Sequence, residues 1–182
     1  MKLLTNPEDK QEILRRLGTI GPSSQRRWGK MTVAEMICHL SDALLVAVGE
    51  KHPKSVSNWF SRTGMKWIAL RTSMKWPHGV QTVPECMAGG GGTPPAEMER
   101  DLRKLRGLID RFTRQPRDFE LQLHPIFGPL TEEEWMRWGY LHMDHHLRQF
   151  GARVPGDAPG GLLVVIGSGT PTHTLDGNSL VS

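Results

Sequence analysis

The residues of this chain with the clearest chemical potential are histidines, of which there are eight. Two of them, His142 and His146, are four positions apart in a segment with a helical pattern. Side chains at this spacing lie on adjacent turns, with Cβ atoms roughly 6 Å apart, so both rings can reach one metal ion. His39 lies within another predicted helix, on the shoulder of its apolar stripe. Three neutral imidazoles with an open coordination position form a typical catalytic site for a divalent cation.

Each of these histidines also has a structural interpretation. Pairs at this spacing arise by chance, and a core histidine bonded to a carbonyl, or to an acid such as Glu35 or Asp42, would account for His39. His145 lies at a different angle of the last helix and is expected to support a ligand or to face solvent. The other four histidines are weaker candidates because three adjoin prolines in predicted loops and one is near the C-terminus: His52, His78, His124 and His173.

Capping patterns place the histidines on helices. Thr32 and Glu35 have the spacing of a capping box before the segment that carries His39, and Thr131 and Glu134 repeat it before His142 and His146. A third start, Asn6 followed by Pro7 and two acids, predicts a short N-terminal helix. Periodic apolar residues extend these three helices and predict two more helices. The predicted helices cover residues 7–17, 32–48, 56–71, 97–117 and 131–150, with Thr93 and Pro94 included in the opening of the fourth.

These segments predict an all-α protein. Strand-like alternation is absent before residue 151, and four substantial helices plus a short N-terminal one favour a helical bundle. We therefore expect a bundle domain at residues 1–151, followed by an irregular tail at 152–182 that is rich in glycine and proline. The tail contains the apolar run Leu-Leu-Val-Val-Ile at 162–166, and we expect this run to pack somewhere, either on the domain or on a partner subunit.

Composition excludes several classes of protein. The 182 residues carry a formal net charge of +4, and the sequence contains no apolar run of the roughly 18 residues that a membrane-spanning helix needs. Because the first residues lack the apolar core of a signal peptide, we expect a cytoplasmic location. Two cysteines, Cys38 and Cys86, cannot build a disulfide framework. We interpret Cys38 as a core residue and find no basic neighbour that would activate Cys86.

Two further patterns suggest nucleotide or nucleic-acid binding but do so weakly. The run Gly89 to Gly92 lacks the preceding strand and the lysine of a phosphate-binding loop, so a flexible loop over the site is expected instead. The helix at 97–117 is rich in arginine, but acids are interspersed and the overall charge is small. A solvated face is the favoured interpretation, and nucleic-acid binding would require a steep salt dependence.

The sequence resembles the DinB/YfiT-like family of metalloenzymes. The resemblance rests on WGKMTVAEMICH at 28–39, on Glu134-Trp135, and on HMDHHLRQF at 142–150, and it spans roughly residues 7 to 151. The middle segment, WIAL at 67–70 followed by Lys75-Trp76-Pro77 and Gly79, resembles one bacterial branch of that family. The resemblance implies an up-and-down four-helix bundle in which His39, His142 and His146 bind a divalent ion. Some relatives are transferases or isomerases that use a low-molecular-weight thiol.

Two functions follow from these patterns. The first is a metal-dependent transferase or hydrolase, in which zinc or nickel activates water or a thiol against a small-molecule substrate. Gln149 and Glu134 are then expected to orient ligand histidines, while Trp135 and Trp138 wall the substrate pocket. The second is a non-catalytic bundle with a structural ion or none, which acts through a partner surface. A homodimer is expected from exposed apolar loops and the apolar tail.

Overall fold

The structure is a computed structural model that describes residues 1–72, 74–79 and 83–152. The described residues form five α-helices and no β-strand, which confirms the all-α prediction for this part of the chain. A π-helical segment, Ser61–Met65, leads into the third helix, and a 3-10 turn spans Pro84–Cys86. The α-helices are α1 (Pro7–Leu17), α2 (Val33–Ala47), α3 (Lys66–Arg71), α4 (Met98–Thr113) and α5 (Glu132–Gln149).

Three helices begin where their capping residues predict. The Asn6 side chain accepts hydrogen bonds from the first turn of α1. Thr32 and Thr131 each complete a capping box, in which the threonine oxygen accepts from a backbone N–H and the third helical residue, a glutamate, accepts from the threonine N–H. Because these bonds satisfy N–H groups that would otherwise lack partners, they fix the first residues of α1, α2 and α5.

The predicted limits of the other helices need correction. Helix α4 is capped by the Glu97 side chain and ends at Thr113, so it is shorter than 97–117. Pro116 disfavours helical backbone at the residue before it, and the chain is already extended at Arg114. Thr93 does not open the helix, since its N–H and hydroxyl donate to the Asp42 carboxylate at 2.7 and 2.6 Å. The predicted helix at 56–71 comprises the π-helical segment and α3 and begins later than expected.

Helix α2 is central to the packing. It contacts α4 on one side and α5 on another, and α5 also contacts α1 and α3. Large side chains at these contacts are fully buried, including Ile37, Leu40, Ile109, Phe112 and Trp135. The contact between α2 and α5 brings the helix that carries His39 against the helix that carries the other two candidate ligands.

A buried ionic cluster fixes α1 to the second half of α5. The Arg16 guanidinium, only 2% exposed, donates to Glu12 at 3.0 Å and to Asp144 at 2.8 Å. The Tyr140 hydroxyl donates to the same Glu12 carboxylate at 2.9 Å, and Arg16 Nε donates to the Ala152 carbonyl at 3.0 Å. Because a buried charge without a partner is strongly destabilising, these bonds hold the C-terminal part of α5 in one position.

The predicted tail at 152–182 cannot be compared with the structure beyond Ala152. Its remaining residues, with the apolar run at 162–166 and His173, lie outside the described residues. Within the described residues, no helix is both long enough and apolar enough to cross a membrane.

Candidate metal centre

His39, His142 and His146 converge where α2 faces α5. One ligand atom from each residue lies within 4.8 Å of the others, and His39 Nε2 is 3.0 Å from His142 Nε2. The ring centroids are 4.8 to 5.0 Å apart. All three side chains are buried, with 4%, 9% and 7% of their surface exposed. The structure therefore brings together the three histidines that were predicted to act as one site.

Hydrogen bonds at the opposite ring nitrogens determine where two of the protons lie. His39 Nδ1 is 2.9 Å from the Cys86 carbonyl oxygen, and a carbonyl can only accept, so Nδ1 donates. His146 Nδ1 is 2.9 Å from Gln149 Oε1. The Gln149 amide is oriented by its own Nε2, which donates to the Trp28 carbonyl at 2.9 Å. Both imidazoles therefore carry their proton on Nδ1 in the neutral form and have a free lone pair on Nε2.

Burial keeps the three rings uncharged. It lowers the pKa of His39, and it lowers the pKa values of His142 and His146 well below their ordinary value. Neighbouring imidazoles lower the latter two further, because a second positive charge so close would be repelled. Neutral imidazole is the form that binds metal, so the site needs no deprotonation at neutral pH.

The donor set fits a divalent ion of the zinc type. Two nitrogens bound to one tetrahedral zinc at 2.0–2.1 Å lie about 3.3 Å apart. The separation of 3.0 Å between His39 Nε2 and His142 Nε2 is close to that value. Without an ion, one of these nitrogens must donate a proton to the other. Imidazole also suits nickel, copper and iron, so the residues specify a class of metal and not one element.

A cavity of about 350 Å³ adjoins the three histidines. Its wall is aromatic and aliphatic and includes Trp135 and Trp138, the two tryptophans that were expected to wall a substrate pocket. Among the described residues that line the cavity there is one lysine, Lys75, and its side chain is exposed. The volume lies near the lower end of the range for pockets that bind small molecules. The remaining lining includes Met31, Met65, Trp76, His124, Phe127 and His145.

The two predicted positioning residues differ in their location. Gln149 lies against His146, as described above. Glu134 is not brought to the histidines, because it is eight residues before His142 on α5, about 12 Å along the helix axis. Its carboxylate accepts from the Thr131 N–H at 2.9 Å and pairs with Lys66 at 3.4 Å. The glutamate therefore caps α5 and binds the first residue of α3 to the start of α5.

Three further groups at the site were not among the predicted ligands, and two of them belong to loops. The Cys86 carbonyl belongs to the 3-10 turn and orients His39. His145 lines the cavity, and its Nδ1 is buried without a hydrogen-bond partner in the described part of the chain. His124, a weak candidate in the sequence, also lines the cavity. No periodic pattern marks Cys86 and His124, because loop residues lack the spacing that identifies a helix face.

The cysteines provide no reactive thiolate at this site. Burial raises the pKa of Cys38 to about 11, and Asp101 adds to the effect because its carboxylate disfavours a second negative charge. Burial also raises the pKa of Cys86 to about 11. Both thiols are therefore protonated at neutral pH, and neither has the lowered pKa of a catalytic nucleophile.

Comparisons with known proteins give one family. No curated protein and no solved structure matches the chain significantly. The family described as "Protein of unknown function (DUF1569)" matches residues 4–153, which include all five helices and the three clustered histidines. Since the match covers most of the 182 residues, the chain belongs to the DUF1569 family.

Proposed function

We propose that the protein is a divalent-metal-dependent enzyme whose ion is bound by His39, His142 and His146. The observation that supports this function is the pair of fixed tautomers. The Cys86 carbonyl and the Gln149 amide hold two rings with their Nε2 lone pairs directed into one cluster beside a cavity. Ligand histidines in metal sites commonly have such an acceptor on the other ring nitrogen.

The proposed reaction is a transfer or a hydrolysis. A zinc or nickel ion at the site would supply Lewis acidity, which lowers the pKa of a bound water or low-molecular-weight thiol. The acceptors on Nδ1 would increase the basicity of the ligand nitrogens and fix the ring planes. The aromatic wall would exclude bulk water from a small-molecule substrate, and a lower local dielectric strengthens every polar interaction in the cavity.

We also propose that the helices form the up-and-down four-helix bundle of the DinB/YfiT-like family, with α1 as the additional N-terminal helix. This proposal is supported by the resemblance at 28–39 and 142–150 and by the packing of α2 against α4 and α5 and of α3 against α5. The expected homodimer stays a prediction, which the solution mass would test against 20.4 kDa for one chain.

The alternative is a non-catalytic bundle with a structural ion. Structural zinc sites are usually closed by four protein ligands, whereas catalytic sites keep one position for water or substrate. Among the described residues the cluster contains the three proposed ligands, and all three line the cavity. The geometry therefore favours an open site over a structural one.

Metal content tests the proposed function directly. Protein purified without a histidine tag or chelator, then incubated with zinc or nickel and desalted, should retain about one equivalent by elemental analysis. The double variant His142→Ala/His146→Ala should retain almost none. His52→Ala, a substitution at an exposed position, should behave as the parent does. Equal metal in the parent and the double variant would refute the site.

Cobalt substitution then separates the catalytic from the structural alternative. The visible absorption of bound Co²⁺ depends on its ligands, so an open position is detected when an added small thiol changes the spectrum. We expect such a change in the parent protein, because the three histidines leave a position facing the cavity. A cobalt spectrum that is insensitive to thiol, azide and imidazole would favour a closed structural site.

A further inference from the structure

His124 carries its proton on Nε2. Its Nδ1 lies 3.1 Å from the backbone nitrogens of both Ile126 and Phe127. Each of these N–H groups donates, so Nδ1 is the acceptor and must be unprotonated. The neutral ring therefore has one donor, the Nε2–H group.

This donor belongs to a buried ring in the cavity wall. His124 is 5% exposed, and it stacks on Phe127 with centroids 4.7 Å apart. Burial lowers its pKa to about 3, so the ring stays neutral at physiological pH. Within the described residues, no hydrogen bond from Nε2 is found, although Nδ1 has two partners. Nε2 is not among the fully buried polar atoms that lack a partner in the described residues, so this donor keeps access to the cavity, where an acceptor would form a hydrogen bond with it.

The position of His124 relates it to the three clustered histidines. The Trp138 ring lies 5.1 Å from the His124 ring and 4.8 Å from the His142 ring, measured between centroids. All three residues line the same cavity. A molecule that lies along the Trp138 indole can therefore reach the His124 donor at one end and the clustered histidines at the other.

The rest of the wall selects against charge. Apart from the histidines, which are neutral, and the exposed Lys75, the described lining residues are apolar or aromatic, or carry a protonated thiol. Away from Lys75 and the proposed metal site, a carboxylate or phosphate beside this wall would lose its hydration without gaining a cation. An uncharged molecule with one or two polar atoms loses far less and gains the contacts of the aromatic side chains.

We propose that His124 is a positioning residue that donates its Nε2–H to an acceptor oxygen, such as a carbonyl, of an uncharged and mainly apolar substrate. The proposal rests on the proposed function for the identity of the substrate site, but the hydrogen bond itself does not need the metal. The donor role distinguishes His124 from His39 and His146, whose Nε2 atoms have a free lone pair and no proton.

Two isosteric probes test the donor. Acetophenone has a carbonyl oxygen where α-methylstyrene has a methylene group, so the two differ mainly in one acceptor. Binding is followed by NMR from the methyl signals of Met31 and Met65, which line the cavity. The measured quantity is the ratio of the two dissociation constants in each protein. The difference in hydrophobicity between the probes is the same for parent and variant, so it cancels when their ratios are compared.

The matched variant is His124→Asn. Asparagine Oδ1 occupies the place of Nδ1 and can still accept from the two backbone N–H groups, whereas nothing replaces the Nε2–H. We expect the preference for the ketone over the alkene to fall about tenfold in this variant, the effect of losing one hydrogen bond. His52→Asn, at an exposed position, should leave the preference unchanged. In the parent, acetophenone should shift the ¹⁵N signal of His124 Nε2 and α-methylstyrene should not.

Both measurements are made on zinc-loaded and on chelator-treated protein. A failure of the His124 proposal can therefore be told apart from a failure of the metal proposal. An unchanged ratio in His124→Asn, or an unmoved His124 signal with saturating acetophenone, overturns the role of His124. Failure of either probe to bind saturably also overturns it. If the protein takes up no zinc but the ratio and the shift behave as expected, the metal proposal fails and the substrate donor stands.

Discussion

Replacing His124 by asparagine should make the stability of the protein less dependent on pH. The folded protein holds this ring neutral, since burial lowers its pKa from an ordinary 6.5 to about 3. In the unfolded chain the ring takes up a proton below pH 6.5. Stability from the neutral ring is therefore fully present above pH 6.5 and is lost as the pH falls toward 3.

The size of the effect follows from these two pKa values. At pH 7.5 neither state of the protein protonates His124 appreciably. At pH 5.0 the unfolded state is almost fully protonated there and the folded state is not, which lowers the free energy of unfolding by about 2 kcal/mol. The asparagine variant cannot titrate, so between pH 7.5 and 5.0 it should lose about 2 kcal/mol less than the parent.

Urea denaturation followed by circular dichroism measures this difference. Both proteins are unfolded at pH 7.5 and 5.0 with a chelator present, so that metal binding does not contribute. The loss of ring packing lowers the free energy of unfolding of the variant at both pH values, so it cancels when the two pH values are compared. The other histidines titrate in both proteins, so their contribution cancels when variant and parent are compared. His52→Asn controls for replacement of an imidazole at the surface. If parent and variant lose the same free energy within about 0.5 kcal/mol, His124 is not held neutral in the fold.

Two further pairs of substitutions test the site and the packing around it. Gln149→Met removes the acceptor on His146 and should weaken zinc binding by about 10- to 100-fold in a chelator competition, whereas Glu134→Gln should not change it. Equal losses in the two would refute the assignment. A Cβ added at Gly139 would lie 2.7 Å from a Leu4 methyl carbon, so Gly139→Ala should destabilise by about 1–3 kcal/mol. Gly107 has open space, and Gly107→Ala should instead stabilise α4 by about 0.5–1 kcal/mol in thermal or urea unfolding.

The helix starts and the clustered histidines could be predicted because their signals are local. A threonine with a glutamate three residues later caps a helix in any context, and His142 and His146 share a face whatever packs against it. The Cys86 carbonyl could not be predicted, since it meets His39 across 47 residues and any backbone carbonyl could have filled that place. The predicted end of α4 is wrong because the charged residues with helical spacing continue past the point where Pro116 stops the helix.

This division between helices and loops has a functional consequence. The proposed ligands project from α2 and α5, and the buried Arg16 cluster and the capping boxes hold those helices in fixed positions. His124, in contrast, belongs to the connection between α4 and α5 and depends on hydrogen bonds to its own neighbours. A change in the loop can therefore alter what the cavity accepts without moving the ligand nitrogens. Gln149→Met should therefore lower metal affinity, and His124→Asn should lower substrate selectivity. If either substitution alone lowered both properties, the loop and the helices would move as a unit.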